Sequence, residues 1–461
     1  MAPEPVYVVG VGLTKFLKPR GKVDYTELGF EAGVKAMLDA GINYDEVDQG
    51  VACYVYGDST SGQRVFYQFG MTSIPIYNVN NNCSTGSTGL YMGRNLIAGG
   101  AANVVLVIGF EKMFPGSLPA SAYPDRSNPL DRTNAMMAAA QGVVEGAPNA
   151  AQLFGNAGRE YMDKFGATAE DFVEIARVSH LHSRNNPYSQ FRNVYTKEQI
   201  LAAPVIHAPL TKLQCSPTSD GAAAAVLVSH SWLEKHPEMK GKAVLIAGQA
   251  MATDAPSMFS RSAMDLVGYE MTKIAAQRAM GEAEIKPEQV KVVELHDCFS
   301  TNEMVTIDAL GLCEHGKAHE VVRKGDITYG GKVVVNPSGG LISKGHPLGA
   351  TGLAQCCELV WQLRGWASNR LVPNLDVALQ HNLGLGGAVV VTVYRRYDGK
   401  KNHVVAVEQV VKSSGVAYNP AIEAHGIVEQ DANKVLSKTK ISEWMRATVK
   451  EKQAVLASSR I

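Results

Sequence analysis

The chain has no surplus charge of either sign, with 44 Lys and Arg against 44 Asp and Glu. No long block of one sign occurs, which argues against nucleic-acid binding as the main activity. No apolar run approaches the roughly 18 residues of a membrane span. The N-terminal run Val6-Tyr7-Val8-Val9 is preceded by Glu4 and by no basic residue, so it reads as a first strand and not a secretory leader. Seven cysteines in 461 residues do not make a disulfide framework, and the odd count points to free thiols in a reducing compartment. Aromatics are modest at 7%, whereas Ala and Gly are abundant, as in tightly packed α/β enzymes.

What is present is an internal echo. Asn-Cys83-Ser-Thr-Gly86-Ser-Thr88-Gly89-Leu90 and Gly-His346-Pro-Leu-Gly349-Ala-Thr351-Gly352-Leu353 share the pattern x-x-x-Gly-x-Thr-Gly-Leu. Cys83 heads one copy and His346 the other. A second echo lies upstream, where Ala40-Gly41-Ile42-Asn43-Tyr44-Asp45-Glu46-Val47 matches Ala283-Glu284-Ile285-Lys286-Pro287-Glu288-Gln289-Val290. Two diverged halves would each supply one group to a shared centre. A thiol beside an imidazole makes an activated nucleophile.

The apolar patterning predicts strands near 5–12, 50–56, 104–108, 222–228, 243–247, 290–295, 375–380 and 388–395. It predicts helices near 26–40, 84–98, 149–165, 168–183, 268–280, 300–310 and 350–364. Strand–helix–strand order implies crossover connections and a parallel-rich sheet. Residues 115–215, rich in Asn, Ser, Pro, Met and Ala, read as a large insertion. From about 398 the periodicity weakens, and 433–461 reads as a loosely held tail. The expected division is a first half over 1–265 carrying the insert, a second half over 266–397, and an extension over 398–461.

Four segments carry candidate chemistry. Cys83 precedes a helix start, whose orphan N–H groups and dipole would lower its thiol pKa; the competing reading is a buried structural cysteine. His346 lies in Asn336–Gly349, where four glycines and two prolines in 14 residues exclude an ordinary helix or strand. Such a loop allows close backbone approach to a ligand. His296-Asp297-Cys298-Phe299 follows the strand at 290–295, where catalytic groups of open α/β sheets gather. His296 and Cys298 make no convincing zinc site, since no Cys-x-x-Cys or second histidine pair completes four ligands. His381-Asn382-Leu383-Gly384 lies between two strands, where glycine would let a backbone N–H face a pocket as an oxyanion hole requires. Gly10-Val11-Gly12 lacks the third glycine and the helix start of a dinucleotide fingerprint. The adjacent Cys356 and Cys357 read as core filler.

Together these segments resemble the thiolase superfamily, and more closely the sterol-carrier-protein-type thiolases. The likeness covers about residues 5–397. It is carried by Asn80–Ser87, Asn185–Phe191, Pro217–Ala225, Glu294–Phe299, the glycine loop through His346, and His381–Gly384. The resemblance implies an α/β thiolase-like fold of duplicated mixed-sheet halves sandwiching helices, with a large inserted loop domain. It implies thiolytic cleavage of 3-oxoacyl-CoA by CoA through an acyl-enzyme, in peroxisomal fatty-acid, branched-chain or sterol side-chain β-oxidation. Cys83 matches the nucleophile, and His346 the histidine that activates it and polarises a thioester oxygen. His296 matches a residue of the first oxyanion hole, which His346 shares; the N–H groups of Cys83 and Gly384 match the second. Ordinary thiolases place an acid/base cysteine where this chain has Asn382, and the subfamily uses the position of Cys298 instead. Ser343 and Lys344 are assigned to coenzyme A. CoA enters as a substrate, with no metal and no tightly bound cofactor.

The resemblance further implies a homodimer. The terminal Ser459-Arg460-Ile461 is similar to the peroxisomal Ser-Lys-Leu address and implies an import receptor as partner, the alternative being a cytoplasmic enzyme. The lipid-carrier domain fused to the animal form has no counterpart expected here. Two alternatives stand: a condensing acyltransferase of the same fold, and a catalytically silent scaffold.

Overall fold

The structure is a computed structural model that describes residues 4–21, 23–116, 118, 125–442 and 445. The terminal tripeptide Ser459-Arg460-Ile461 lies outside the described residues. Ten strands make one mixed sheet: β1 Val6–Leu13, β2 Gln49–Cys53, β3 Ile76–Val79, β4 Val104–Glu111, β5 Gly221–Ser229, β6 Val244–Ala252, β7 Val292–Glu294, β8 Val334–Val335, β9 Val377–Gly384 and β10 Ala388–Arg396. The helices that matter for the site are α1 Tyr25–Ala40, α2 Thr85–Ala98, α3 Asn149–Phe165, α4 Ala169–Ser183, α5 Tyr269–Glu282, α6 Ser300–Ala309, α7 Leu348–Arg364, α8 Val407–Ser414 and α9 Glu429–Val435.

The sheet runs β8-β7-β9-β10-β6-β1-β5-β4-β2-β3. Each half repeats the other strand for strand. β2 pairs in parallel with β3 and β4, as β7 does with β8 and β9. β5 pairs antiparallel with β4 and β1, as β10 does with β9 and β6. The halves join through β1 and β6 at Tyr7↔Leu245 and Val8↔Val244. The duplication legible in two short motifs is therefore a duplication of topology. By that topology the second copy opens at Val244, upstream of the 265/266 division drawn from sequence.

Local chemistry explains the elements. α1 starts at Asp24, whose side chain accepts from Tyr25 N within a capping box completed by Glu27, and it stops at Gly41 with φ 66°. β4 and β5 are buried along their whole length, as strands covered on both faces must be. The glycines of Gly10-Val11-Gly12 serve packing: a Cβ at Gly10 would meet Ala36 O at 2.2 Å, so α1 lies directly on β1. The same contact recurs in the second copy, where a Cβ at Gly248 would meet Ala279 O at 2.2 Å. That third echo, glycine in the first strand against alanine in the following helix, went unread in the sequence.

Three helical layers result. α1 covers the outer face of the first half, α5 covers that of the second, and α2 and α7 lie between, touching strands of both. Trp361, Cys356 and Cys357 on α7 are fully buried in this central layer. The insert leaves the sheet after β4 and returns at β5, and α3 and α4 pack it on α6. The loosely held tail expected over 433–461 is corrected for its described part. α9 packs on α1, Ser437 N donates to Phe69 O at 2.8 Å, and Met71 N donates to Lys440 O at 2.8 Å. Val435 and Ser437 are buried. Their apolar and backbone docking lies outside what helical periodicity records. Among the described residues no helix is long and apolar enough to cross a membrane.

Candidate active site

The two echo motifs meet. α2 and α7 cross at their N-termini, and glycines set the distance. A Cβ at Gly86 would lie 2.8 Å from Gly349 O, and one at Gly352 would lie 2.2 Å from Ser87 Oγ. Cys83, just before α2, and His346, just before α7, are thereby brought to one point. Asn82 holds the turn into Cys83 at φ 53°, a left-handed setting Asn tolerates better than most residues. Its side chain anchors on Leu385 O at 3.0 Å.

His296 completes the cluster. Cys83 Sγ and one ring nitrogen each of His296 and His346 all lie within 4.8 Å of one another. The His296 and His346 rings stand edge to face at 81°, with centroids 5.1 Å apart.

Hydrogen bonds fix both tautomers. Thr351 Oγ1 donates to Pro347 O at 3.0 Å and so accepts from His346 Nδ1–H at 2.7 Å. Nε2 of His346 is left unprotonated, buried and without a partner. Burial, and then the Lys344 charge, lower the His346 pKa to about 3. His296 Nδ1 accepts from Asn382 Nδ2 at 3.0 Å, so its Nε2 carries the proton. Burial, followed by His346 and His381, holds His296 far below the usual histidine range. His381 is structural: its Nδ1 accepts from His296 N at 3.3 Å, and its Nε2 donates to Thr272 Oγ1 at 3.1 Å.

The thiol expectation needs correcting. Cys83 keeps partial solvent access, yet the dehydration around its sulfur, with the Glu111 charge second, pushes its pKa up to about 12. Desolvation outweighs the helix terminus here. The resting group is a thiol beside a neutral imidazole acceptor. Cys298 is buried and lies outside the three-residue cluster; burial, then the Cys83 charge, raise its thiol well above the ordinary value.

Gly384 ends β9 directly over the start of α2. A Cβ there would lie 2.3 Å from Asn81 O and 3.2 Å from Cys83 N. Ser343 and Lys344, expected to contact coenzyme A, are both buried and bonded within the protein. Ser343 Oγ donates to Ser183 Oγ at 2.7 Å. Lys344 Nζ reaches Ser338 Oγ at 2.8 Å and Glu294 at 3.3 Å, both partners fully buried. The loop they belong to folds inward as a short π-helical turn, Gly340–Lys344, with Asp297 accepting from Leu341 N at 2.7 Å. Asn185–Phe191 and Pro217–Ala225 clamp the same loop. Gln190 N donates to Lys344 O at 2.9 Å, and Ser219 Oγ accepts from His346 N at 2.9 Å.

One residue was missed altogether. Glu111, the last residue of β4, is buried, and its carboxylate accepts from Val55 N at 3.1 Å, Tyr56 N at 2.9 Å and Gly349 N at 2.9 Å. Burial raises its pKa to about 7 against those three N–H groups. The duplication was the available signal, because it aligns Glu111 with Gly384.

A duplicated α/β sheet that delivers a cysteine and a histidine to the starts of two crossed central helices defines the thiolase class of acyltransferases. The model described as "Thiolase, N-terminal domain" matches residues 6–231, and "Thiolase C-terminal domain-like" matches residues 250–395. The chain belongs to the thiolase family. It is 56% identical over 392 residues to "Sterol carrier protein 2" of Gallus gallus, covering 84% of this chain and 71% of that one. It is 48% identical over 396 residues to "Non-specific lipid-transfer protein-like 2" of Caenorhabditis elegans, covering 85% and 96%. Among solved structures the fold matches human mitochondrial 3-ketoacyl-CoA thiolase with a TM-score of 0.63 at 18% identity, covering 85% of this chain and 99% of that one.

Proposed function

We propose that the protein cleaves 3-oxoacyl-CoA thioesters with CoA through an acyl-enzyme on Cys83. The observation that carries this reading is a ring nitrogen of His346 within 4.8 Å of the Cys83 sulfur, on a ring whose Nε2 is buried and unpartnered. His346 takes the thiol proton as the sulfur attacks the 3-keto carbon. The resulting Nε2–H then joins His296 Nε2–H as a donor to the thioester oxygen. The C2–C3 bond breaks, the acyl group stays on sulfur, and the departing enolate carbon takes a proton from Cys298. The thiol of CoA, deprotonated by Cys298, carries the acyl group away. The N–H groups of Cys83 and Gly384 receive the oxyanion of the acyl-transfer steps.

The sterol-carrier-type relatives support a substrate with a fatty, branched or sterol-derived acyl chain. We assign the enzyme to the peroxisome through Ser459-Arg460-Ile461, and to a homodimer that pairs across the half-exposed terminal strand β3. The condensing direction uses the same groups, and relative turnover decides between the two. Brief exposure to a 3-oxoacyl-CoA without free CoA, followed by mass spectrometry, should place an acyl adduct on Cys83. An adduct on Cys298 alone would reverse the roles. A panel of straight and branched 3-oxoacyl-CoAs then reads the chain preference. Removing the last three residues from a fluorescent fusion should move it to the cytosol, and sedimentation should give a dimer.

A further inference from the structure

The sequence offers no four-ligand zinc set, yet the fold assembles three ligands at one point. The Cys83 sulfur and a ring nitrogen from each of His296 and His346 lie within 4.8 Å of one another. Zinc bonds of about 2.0–2.3 Å at tetrahedral angles would separate such atoms by about 3.3–3.6 Å, so a contraction of at most about 1.2–1.5 Å completes the tripod. His346 Nε2 is buried with a free lone pair, and its Nδ1–H is held by Thr351 Oγ1 at 2.7 Å. That outer hydrogen bond is the arrangement that orients histidine ligands on metals.

His296 carries its proton on Nε2 because Asn382 Nδ2 donates to Nδ1. The other end of the same amide, Asn382 Oδ1, is buried and bonded to nothing. A half-turn of the amide breaks no bond to that oxygen. It aims Oδ1 at Nδ1, moves the ring proton there, and frees Nε2 as a ligand. Cys83 is the member of the trio whose residue keeps some solvent access.

We propose that the centre is an inhibitory binding site for a soft divalent cation, Zn²⁺ in the first instance. Its ligands are Cys83 Sγ, His296 Nε2 and His346 Nε2, with water in the fourth position. On binding, the Cys83 S–H bond breaks and an S–metal bond forms. The proton leaves to solvent, and no electron is transferred. One ion then occupies the nucleophile and its base together. Hard cations such as Mg²⁺, which favour oxygen ligands, are excluded by the donor set.

Cobalt(II) titrated into the full chain tests this without reference to turnover, so its outcome is separable from that of the thiolytic reading. The expected result is a thiolate-to-cobalt charge-transfer band with the intense visible bands of four-coordinate cobalt. It should saturate at one ion per chain and be displaced by Zn²⁺. Cys83→Ser should abolish the charge-transfer band and His346→Ala should weaken cobalt binding at least tenfold, with circular dichroism showing both variants folded. Replacing the exposed His425 should change nothing. Zn²⁺ should also protect Cys83 from iodoacetamide until a chelator is added, and Mg²⁺ should not. Absence of the charge-transfer band in the parent protein overturns the proposal, as does its survival in Cys83→Ser or its loss on replacing His425.

Discussion

Glu111 and Gly384 end equivalent strands of the two halves, and one carries a carboxylate where the other carries no side chain. Glu111 pairs with Gly221, the first residue of β5, as Gly384 pairs with Ala388, the first residue of β10. Each strand end faces the start of a central helix. Glu111 closes its helix with a carboxylate on Gly349 N. Gly384 has no side chain, and the backbone of Asn81–Ser84 packs directly on it, so that a Cβ would lie 2.3 Å from Asn81 O. Near-symmetry is broken at the point where the proposed mechanism puts an oxyanion.

Gly384→Ala therefore should push the Asn81–Ser84 turn away from the end of β9. The new methyl would lie 3.2 Å from Cys83 N and 2.3 Å from Asn81 O. Turnover should fall about 10²–10³-fold, the usual cost of one lost oxyanion donor. Iodoacetamide should still alkylate Cys83, because the sulfur is untouched. A variant with near-parent turnover would remove Gly384 from the oxyanion site.

Glu111→Gln replaces one carboxylate oxygen with an amide that repels the incoming N–H groups. Turnover should drop by up to about 10²-fold through misplacement of His346 and Cys83. Alkylation of Cys83 should quicken, since a charge that opposes its ionisation is gone. Stability adds an independent check. The folded pKa of Glu111, raised from 4.5 to about 7, is above its unfolded value, so its contribution is fully present below pH 4.5 and is lost as pH rises through about 7. The variant lacks this loss. The gap in melting temperature should narrow between pH 5 and pH 8, and a gap that widens would refute the account.

Lys344→Met tests whether this lysine serves the fold or coenzyme A. Its ammonium sits fully buried against Glu294 and Ser338, and removing one partner of a buried pair costs about 3–5 kcal/mol. A large fall in denaturation midpoint is expected. Any folded fraction should keep the parent KM for CoA. A selective rise in that KM with unchanged stability would restore the ligand role.

Cys298→Ser and Asn382→Ala separate two kinds of loss. A serine hydroxyl is far less acidic than a thiol, so steady-state cleavage should fall about 10²–10⁴-fold while Cys83 still becomes acylated. Asn382→Ala should cost less, because the asparagine supplies no titratable proton and acts by holding the His296 tautomer. If Cys298→Ser stays near the parent rate while Asn382→Ala collapses, the acid/base assignment is wrong.

Much of the architecture was legible because long, strongly patterned segments dominate it. The helix expected over 149–165 is Asn149–Phe165, and the strand expected over 388–395 is Ala388–Arg396. Ile76–Val79 and Val334–Val335 were missed, being too short to show a period. The meeting of Cys83, His296 and His346 was readable because each stands in a motif. The packing around them was not. The inward turn of Ser343 and Lys344, the desolvation of the Cys83 sulfur and the plug at Glu111 depend on which atoms the fold places alongside. Glycine density marks a special loop without saying which way its side chains point.

The insert has a consequence for the shape of this centre. Between β9 and β10 the chain turns within residues 385–387, whereas between β4 and β5 it travels through residues 112–220. The catalytic point consequently has one low bank and one high one. The duplicated frame supplies both helix starts, and the insert is present in one half alone. Remodelling of what enters is a one-sided problem bounded by Ser183, Gln190 and Ser219, the insert residues that hold the loop leading to His346.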